Sequence, residues 1–208
     1  MMSDQFAEKA EDWDTGPIPT QISEGVARAL DRRVRLSRDM IVMDFGAGTG
    51  LLCKHVAPQV ERVLAVDISP SMLARLADKV ELRDRVETVC QDILATPLDR
   101  RVDLVVSAMA MHHVEDTRAL VRTLYDHLVD GGRIALADLD REDGTFHPPG
   151  TEGVFHAGFD RDALAKQMVE VGFSDVAFTT ACEVDREGRR YPVFLATATR
   201  PSRGSAIS

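Results

Sequence analysis

Five short strand-like runs, each separated from the next by a stretch of helical spacing, decide what this chain can fold into. Residues 40–45, 62–67 (RVLAVD), 86–90, 102–108 and 133–139 read as strands, that at 102–108 an almost unbroken apolar run. Helical faces are expected over 5–13 (Phe6, Ala10, Trp13), 20–36 (Ile22, Val26, Leu30, Val34) and 50–57. Ser69-Pro70 pairs a hydroxyl cap with a proline at the first helical position, ahead of the stripe Met72, Leu73, Leu76 and Val80. Residues 117–129 carry Leu120, Val121, Leu124 and Leu128, with Gly131 as the expected stop. Asp160 heads a last helix with Leu164, Met168 and Val171, ended by Gly172. Strands separated by helices imply a parallel sheet covered on both faces. Two further β runs, 175–184 and 191–199, are joined only by the polar segment 185–188, too short for a crossover helix, so they must run antiparallel.

At 208 residues the chain fits one domain: an N-terminal helical cap (1–38), a core (40–139), an irregular loop (140–159) and a C-terminal helix with a strand pair (160–199). The loop is rich in Gly, Pro, His and acids, and long irregular segments in compact domains are usually functional or mobile. A net charge of −9 argues against a nucleic-acid footprint, and Arg32, Arg33, Arg35 and Arg38 read as a solvated helix surface. The N-terminus lacks the form of a signal peptide, and no apolar run is long enough to span a bilayer, so no membrane partner is expected. Cys53, Cys90 and Cys182 are odd in number and form no C-x-x-C pair, which reads as thiols in a reducing compartment, the cytoplasm by default.

The stretch MDFGAGTGLL (43–52) follows the first strand, with Gly46, Gly48 and Gly50 at spacing two and two. A dinucleotide fingerprint would place its third glycine at position 51, which is Leu51. Glycines after the first strand let the backbone approach a ligand, and an acid at the end of the second strand accepts from ribose hydroxyls. Asp67 stands there, 21 residues after Gly46. Asp92, in VCQDIL after the third strand, can accept from an adenine amino group or simply cap a turn. Two acids at successive strand ends, with no lysine or arginine in the glycine loop, favour a ribose-plus-adenine ligand without phosphates.

In these motifs the chain resembles the class I S-adenosylmethionine-dependent methyltransferases of the small single-domain kind, similar to those of ubiquinone and menaquinone biosynthesis. The matching stretches are VMDFGAGTGLL, VLAVDISPSML, VCQDIL, VDLVVSAMAMHHVED and LVDGGRIALADL, over about residues 40–139. The resemblance implies a doubly wound, Rossmann-like α/β fold with a seven-stranded, mostly parallel sheet and an antiparallel strand near the C-terminus. It implies S-adenosyl-L-methionine as cofactor and S-adenosyl-L-homocysteine as product. Gly46, Ala47, Gly48 and Gly50 would pass under the methionine and ribose, and Asp44 would orient that loop or the ammonium. Asp67 would take the ribose hydroxyls, Ile68 and Met72 would flank the adenine, Asp92 and Ile93 would frame its amino edge, and Ala108 would line the sulfonium side. Trp13 is a further candidate, because the family's N-terminal segment often folds over the cofactor.

Methyl transfer needs chiefly alignment and exclusion of water, with a general base where the acceptor is a hydroxyl or thiol. Candidate bases are His112 and His113 after the fourth strand, and His147 and His156 in the loop that also holds Asp140 and Asp143 between Asp138 and Asp160. His147 and His156 lack metal-site spacing, so this segment is expected to be a polar lid that orders over the acceptor rather than a metal site. The expected partner is a small-molecule methyl acceptor, without nucleic acid, in a monomer or homodimer. The rival reading is a non-catalytic cofactor-binding accessory protein that keeps the fold. A nicotinamide-dependent oxidoreductase is disfavoured by the glycine spacing and the missing substrate domain.

Overall fold

The computed structural model describes Asp4 and residues 7–202, so Phe6 of the first expected helix lies outside the described residues. Seven strands form one sheet: β1 (Ile41–Phe45), β2 (Arg62–Asp67), β3 (Val86–Cys90), β4 (Val102–Ala108), β5 (Leu128–Leu139), β6 (Ser174–Arg186) and β7 (Arg189–Thr199). Their order is β3-β2-β1-β4-β5-β7-β6. The first five are mutually parallel, and β7 lies antiparallel between β5 and β6.

Strand alternation builds both layers of the core, because successive side chains point to opposite faces. Val42, Val63, Leu104, Ala135 and Val193 face α2 (Pro17–Arg33), α3 (Cys53–Val56) and α4 (Pro70–Ala77). Their neighbours Met43, Leu64, Val105, Ile134 and Phe194 face α5 (Thr117–Asp126) and α6 (Arg161–Val171). Burial on both faces explains why the central strands are mostly apolar on both faces and why the first five run parallel. The expected caps form: Ser69 Oγ accepts from Met72 N (3.2 Å), Asp116 from Ala119 N and Asp160 from Ala163 N (both 2.9 Å).

Several boundaries differ from the periodicity. The first expected helix is only α1 (Ala7–Ala10) and a 3-10 turn at Trp13–Thr15. Helix α2 starts earlier, at Pro17, since proline suits a first helical turn whose N–H groups have no partner. The helix expected over 50–57 shrinks to α3, then a 3-10 turn at Ala57–Gln59 containing Pro58, which has no N–H to continue the α-helical ladder. Gly131 does not stop α5; the helix ends at Asp126 with His127 as cap, and Gly131 turns within β5 at φ +81°. His127 is buried with both ring nitrogens engaged, Nδ1 donating to Thr123 O (2.7 Å) and Nε2 accepting from Leu98 N (2.9 Å). The last two strands run through the expected linker to a tight turn at Glu187-Gly188, both with positive φ (55° and 77°), the geometry that matches hairpin twist.

Val80 is a further correction. Helix α4 ends at Ala77, and a 3-10 turn over Val80–Leu82 leaves Val80 70% exposed while Leu82, at 2%, enters the core. Leu82→Ala is therefore expected to cost about 2–5 kcal/mol and Val80→Ser less than about 0.5 kcal/mol, read as shifts in urea midpoint. Equal shifts would contradict this packing.

Candidate active site

Strand order reverses between β1 and β4, so the connections leaving these neighbours diverge and open a crevice at their carboxyl ends. The glycine loop enters it from β1, and residues 109–113 enter from β4 through Met109, held at φ +59°. The two loops touch: a Cβ on Gly46 would lie 2.3 Å from Ala110 Cβ. Between them is a cavity of about 410 Å³, within the usual range for small-molecule sites.

The three glycines do different work. All have positive φ, but a Cβ at Gly50 would strike Leu76 Cδ1 at 2.2 Å, whereas one at Gly48 would meet nothing within 4 Å. Gly46 and Gly50 are thus fixed by packing, and Gly48 presents bare backbone to the cavity. Asp67 clamps this loop: Oδ2 accepts from Gly48 N (2.7 Å) and Oδ1 from Ser69 N (2.8 Å). Burial raises its carboxyl above the ordinary range, against the lowering effect of these bonds. Asp44 lies deeper, 1% exposed, accepting from Cys53 Sγ at 3.1 Å. Desolvation pushes its carboxyl up to about 7, opposed by the thiol bond and assisted by the charge of Asp67. Burial likewise pushes the Cys53 thiol well up, so it serves as donor.

The N-terminal segment is tied down over this half. Thr49 Oγ1 donates to Asp14 Oδ1 (2.5 Å), Lys79 Nζ bonds Thr49 O (2.7 Å) and pairs with Asp14 (2.5 Å), and Asp4 accepts from Ser69 Oγ and Ser71 N (both 3.0 Å). Trp13, half-buried, lines the cavity instead of joining the core. Ala47, Ile68, Met72, Ile93 and Ala108 also line it. Asp92 lines it too, while its Oδ1 accepts from Leu94 N (2.9 Å) and Ala95 N (3.3 Å), so the turn-cap geometry is present as well.

The other half of the cavity carries imidazoles. His112 Nδ1 lies 2.7 Å from Asp138 Oδ1, with both side chains buried. His112 Nε2 is 3.2 Å from His147 Nε2, and His113 Nδ1 donates to Gly153 O at 2.6 Å. These three histidines line the cavity; His156 does not, because its Nε2 lies against the carbonyls of Val114 (2.9 Å) and Glu115 (3.2 Å).

Segment 140–159 is pinned rather than freely solvated. Arg161 holds Asp140 with two bonds (2.6 and 2.7 Å), Arg189 pairs with Asp143 (2.5 Å), and Phe155 N donates to His112 O (2.9 Å). Phe146 is buried, edge-on to Tyr191 at 5.2 Å between ring centroids. No group of three His, Cys, Asp or Glu side chains suited to a metal ion occurs among the described residues. Sequence reasoning missed the Asp14–Thr49–Lys79 tie and the role of Phe146 and Phe155 in lining the cavity, none of which has a local signal. It grouped Asp138 with the loop acids, although an acid ending an apolar strand was a hint of burial.

Asp44 has a consequence for stability. Its folded-state carboxyl titrates near 7 against an ordinary value of 3.8, so its contribution is fully present below 3.8 and is lost as pH rises through about 7. The raised carboxyl of Asp67 acts with the same sign. Asp44→Asn should flatten the fall in stability between pH 4.5 and 8, by on the order of a few kcal/mol, in urea melts without ligand. A variant with the wild-type slope would mean that Asp44 is ionised throughout.

Residues 42–132 match the family model described as methyltransferase domain. The malonyl-[acyl-carrier protein] O-methyltransferase of Halorhodospira halophila is 30% identical over 142 residues, 64% of this chain and 48% of that protein. The chain spans about half the length of the curated relatives it matches. The Haloferax volcanii protein solved in complex with the Trm112 methyltransferase activator superposes with a TM-score of 0.79 at 17% identity, covering 97% of this chain and 100% of that one. The N-methyltransferase NodS from Bradyrhizobium japonicum, solved with S-adenosyl-L-homocysteine, gives 0.72 at 16%, covering 96% and 100%. Residues 42–132 are thus similar to a methyltransferase domain, and the whole chain has the fold of these superposed structures.

Proposed function

We propose that the chain binds S-adenosyl-L-methionine in the crevice and transfers its methyl group to a small-molecule acceptor. The observation that carries this reading is the Asp67–Gly48 clamp. It holds a carboxylate at the end of β2 beside a backbone segment that is bare toward the cavity. Each Asp67 oxygen spends one lone pair on the backbone and keeps another for a ribose hydroxyl. Asp44 and Asp92 mark the ends of the nucleoside path, an ammonium at the first and an adenine amino group at the second. An arriving ammonium would favour the ionised form of Asp44, supplying the opposite charge that this buried carboxyl lacks. Ile68 and Met72 flank the base, Ile93 borders its amino edge, and Ala47, Gly46 and Ala108 shape the path toward the sulfur, while Gly50, packed on Leu76, does not line the cavity and only supports the loop.

When bound, S-adenosyl-L-methionine supplies an already activated methyl group. The protein's part is to hold the acceptor in line with that methyl, exclude water under Trp13 and segment 140–159, and accept a proton where the acceptor carries one. The imidazole-lined half favours catalysis over a purely cofactor-binding role. We assign the chain to a reducing compartment, the cytoplasm by default, as a monomer or homodimer; its three cysteines are free, and no helix among the described residues is long and apolar enough to cross a membrane.

Asp67→Ala is expected to weaken S-adenosyl-L-methionine binding by roughly 1.5–3 kcal/mol, about 10- to 100-fold. Gly48→Val should weaken it more, by filling the space the ligand needs with a branched side chain on a left-handed backbone. Calorimetry measures both, with urea melts to verify folding; unchanged affinity in two folded variants would remove the pocket assignment. A metabolite screen with mass detection of one added methylene should find the acceptor.

A further inference from the structure

The N-terminal segment, Asp4 and residues 7–15, is fastened to α4 as a strap, and the ties are polar. Asp4 accepts from Ser69 Oγ and Ser71 N (both 3.0 Å) at the start of the helix. Glu11 pairs with Arg75 (3.4 Å) midway, and Asp14 pairs with Lys79 (2.5 Å) just past its end. Ser71, Arg75 and Lys79 recur at every fourth residue, the spacing that keeps one helix face in line. Apolar packing adds little to this hold: of the strap's described side chains only Ala10 is buried.

The tie at Lys79 differs from the others. Its ammonium is 17% exposed and also donates to Thr49 O (2.7 Å), while Thr49 Oγ1 donates to the second Asp14 oxygen (2.5 Å). Three residues from three segments thus close one ring of charge-assisted bonds, stronger than an exposed pair such as Arg75–Glu11. Thr49 adjoins Gly48, whose backbone is bare toward the cavity, and Asp14 adjoins Trp13, which lines the same cavity. One cation therefore joins two walls of the cavity without lining it.

We propose that Lys79 is a positioning residue for the cofactor: it locks the strap that carries Trp13 against the glycine loop, and its hold sets the rate of cofactor exchange. The assignment deepens the reading of the crevice as a cofactor site and rests on it. Lys79 touches no ligand in this scheme and acts through Thr49 and Asp14. Opening the ring breaks three polar contacts and uncovers little apolar surface, so it proceeds locally while Asp67 keeps Gly48 in place. A strap held by packing would open only with the core beneath it. A strap held by charge opens more readily as salt screens the pair.

The test uses the full chain, S-adenosyl-L-homocysteine as probe and the emission of Trp13, the sole tryptophan, as signal. Calorimetry verifies binding, binding should shift the emission, and stopped-flow dilution gives the release rate. Lys79→Met and Asp14→Asn should each speed release about tenfold, the loss expected of one charge-assisted hydrogen bond. The double variant should be no faster than either single, because both open the same ring. Arg75→Ala, which removes an exposed pair on the same strap, should change the rate less than about twofold. Urea melts check that each variant is folded. In the wild type, which needs no variant, raising salt from about 0.05 to 0.5 M should speed release severalfold, an effect absent in Lys79→Met. The inference is overturned by a wild-type release rate deaf to salt, by folded Lys79→Met with wild-type release, by additive singles, or by Trp13 emission that ignores bound probe. A wild type that binds no S-adenosyl-L-homocysteine would instead sink the cofactor reading on which the inference rests.

Discussion

The clamp between Asp67 and the glycine loop is the contact on which the rest of the site depends. Gly48 and Ser69 belong to the connections after β1 and β2, and one carboxylate accepts from both. That arrangement is possible because β1 and β2 pair in parallel register, which puts Phe45 opposite Val66 and brings both strand ends to one level. The sheet then continues the loop's support: Gly46 N and Ala47 N donate to Val66 O (2.8 and 3.1 Å). The loop is thus bonded to the neighbouring strand end as well as closed by its own turn, in which Gly50 N donates to Ala47 O (2.8 Å). Its glycines allow the approach, and the carboxylate fixes it.

Two further carboxylates are buried beside the cavity, and their surroundings give them opposite characters. Asp44 has a thiol for company and a second acid nearby, so desolvation dominates and its proton is retained up to about pH 7. Asp138 accepts from an imidazole and two backbone N–H groups, so both of its oxygens are engaged. One cavity therefore contains an acid that gains from an arriving cation and another already paired with a group that can become one. The two lie on opposite sides of the crevice, on β1 and β5, one behind the glycine loop and the other behind the histidines.

Repetition made the fold legible. Each buried strand is apolar on both faces and each covering helix has one apolar face, so the signal is renewed along 160 residues or so. The glycine-loop side of the cavity was legible because its residues sit at strand ends, where Asp44, Asp67 and Asp92 keep fixed places relative to apolar runs. Errors fell where a single local cue competed with packing. Val80 continues the stripe of α4 in spacing, but the helix had already ended, and Leu82 took the inward place. Gly131 has the look of a helix stop, yet α5 closes on His127, whose ring supplies both a donor and an acceptor. The histidine side was less legible because its contacts are long-range. Nothing near His112 in sequence announces Asp138, 26 residues on, or His147, 35 residues on.

The antiparallel strand pair links those distant residues to the cavity. Strands β6 and β7 extend past the carboxyl end of β5 to the turn at Glu187-Gly188, and segment 140–159 lies against that extension. Tyr191 meets Phe146 edge-on and bonds Thr145 Oγ1 (2.8 Å), while Arg186 bonds the Phe146 carbonyl and Arg189 holds Asp143. These contacts fix the stretch that leads directly into His147, the next residue after Phe146. A parallel strand in that place would have needed a crossover helix and could not have projected as a hairpin beside the loop. The position of His147 relative to His112 is therefore a property of the C-terminal topology, set by residues that touch neither the crevice nor each other in sequence.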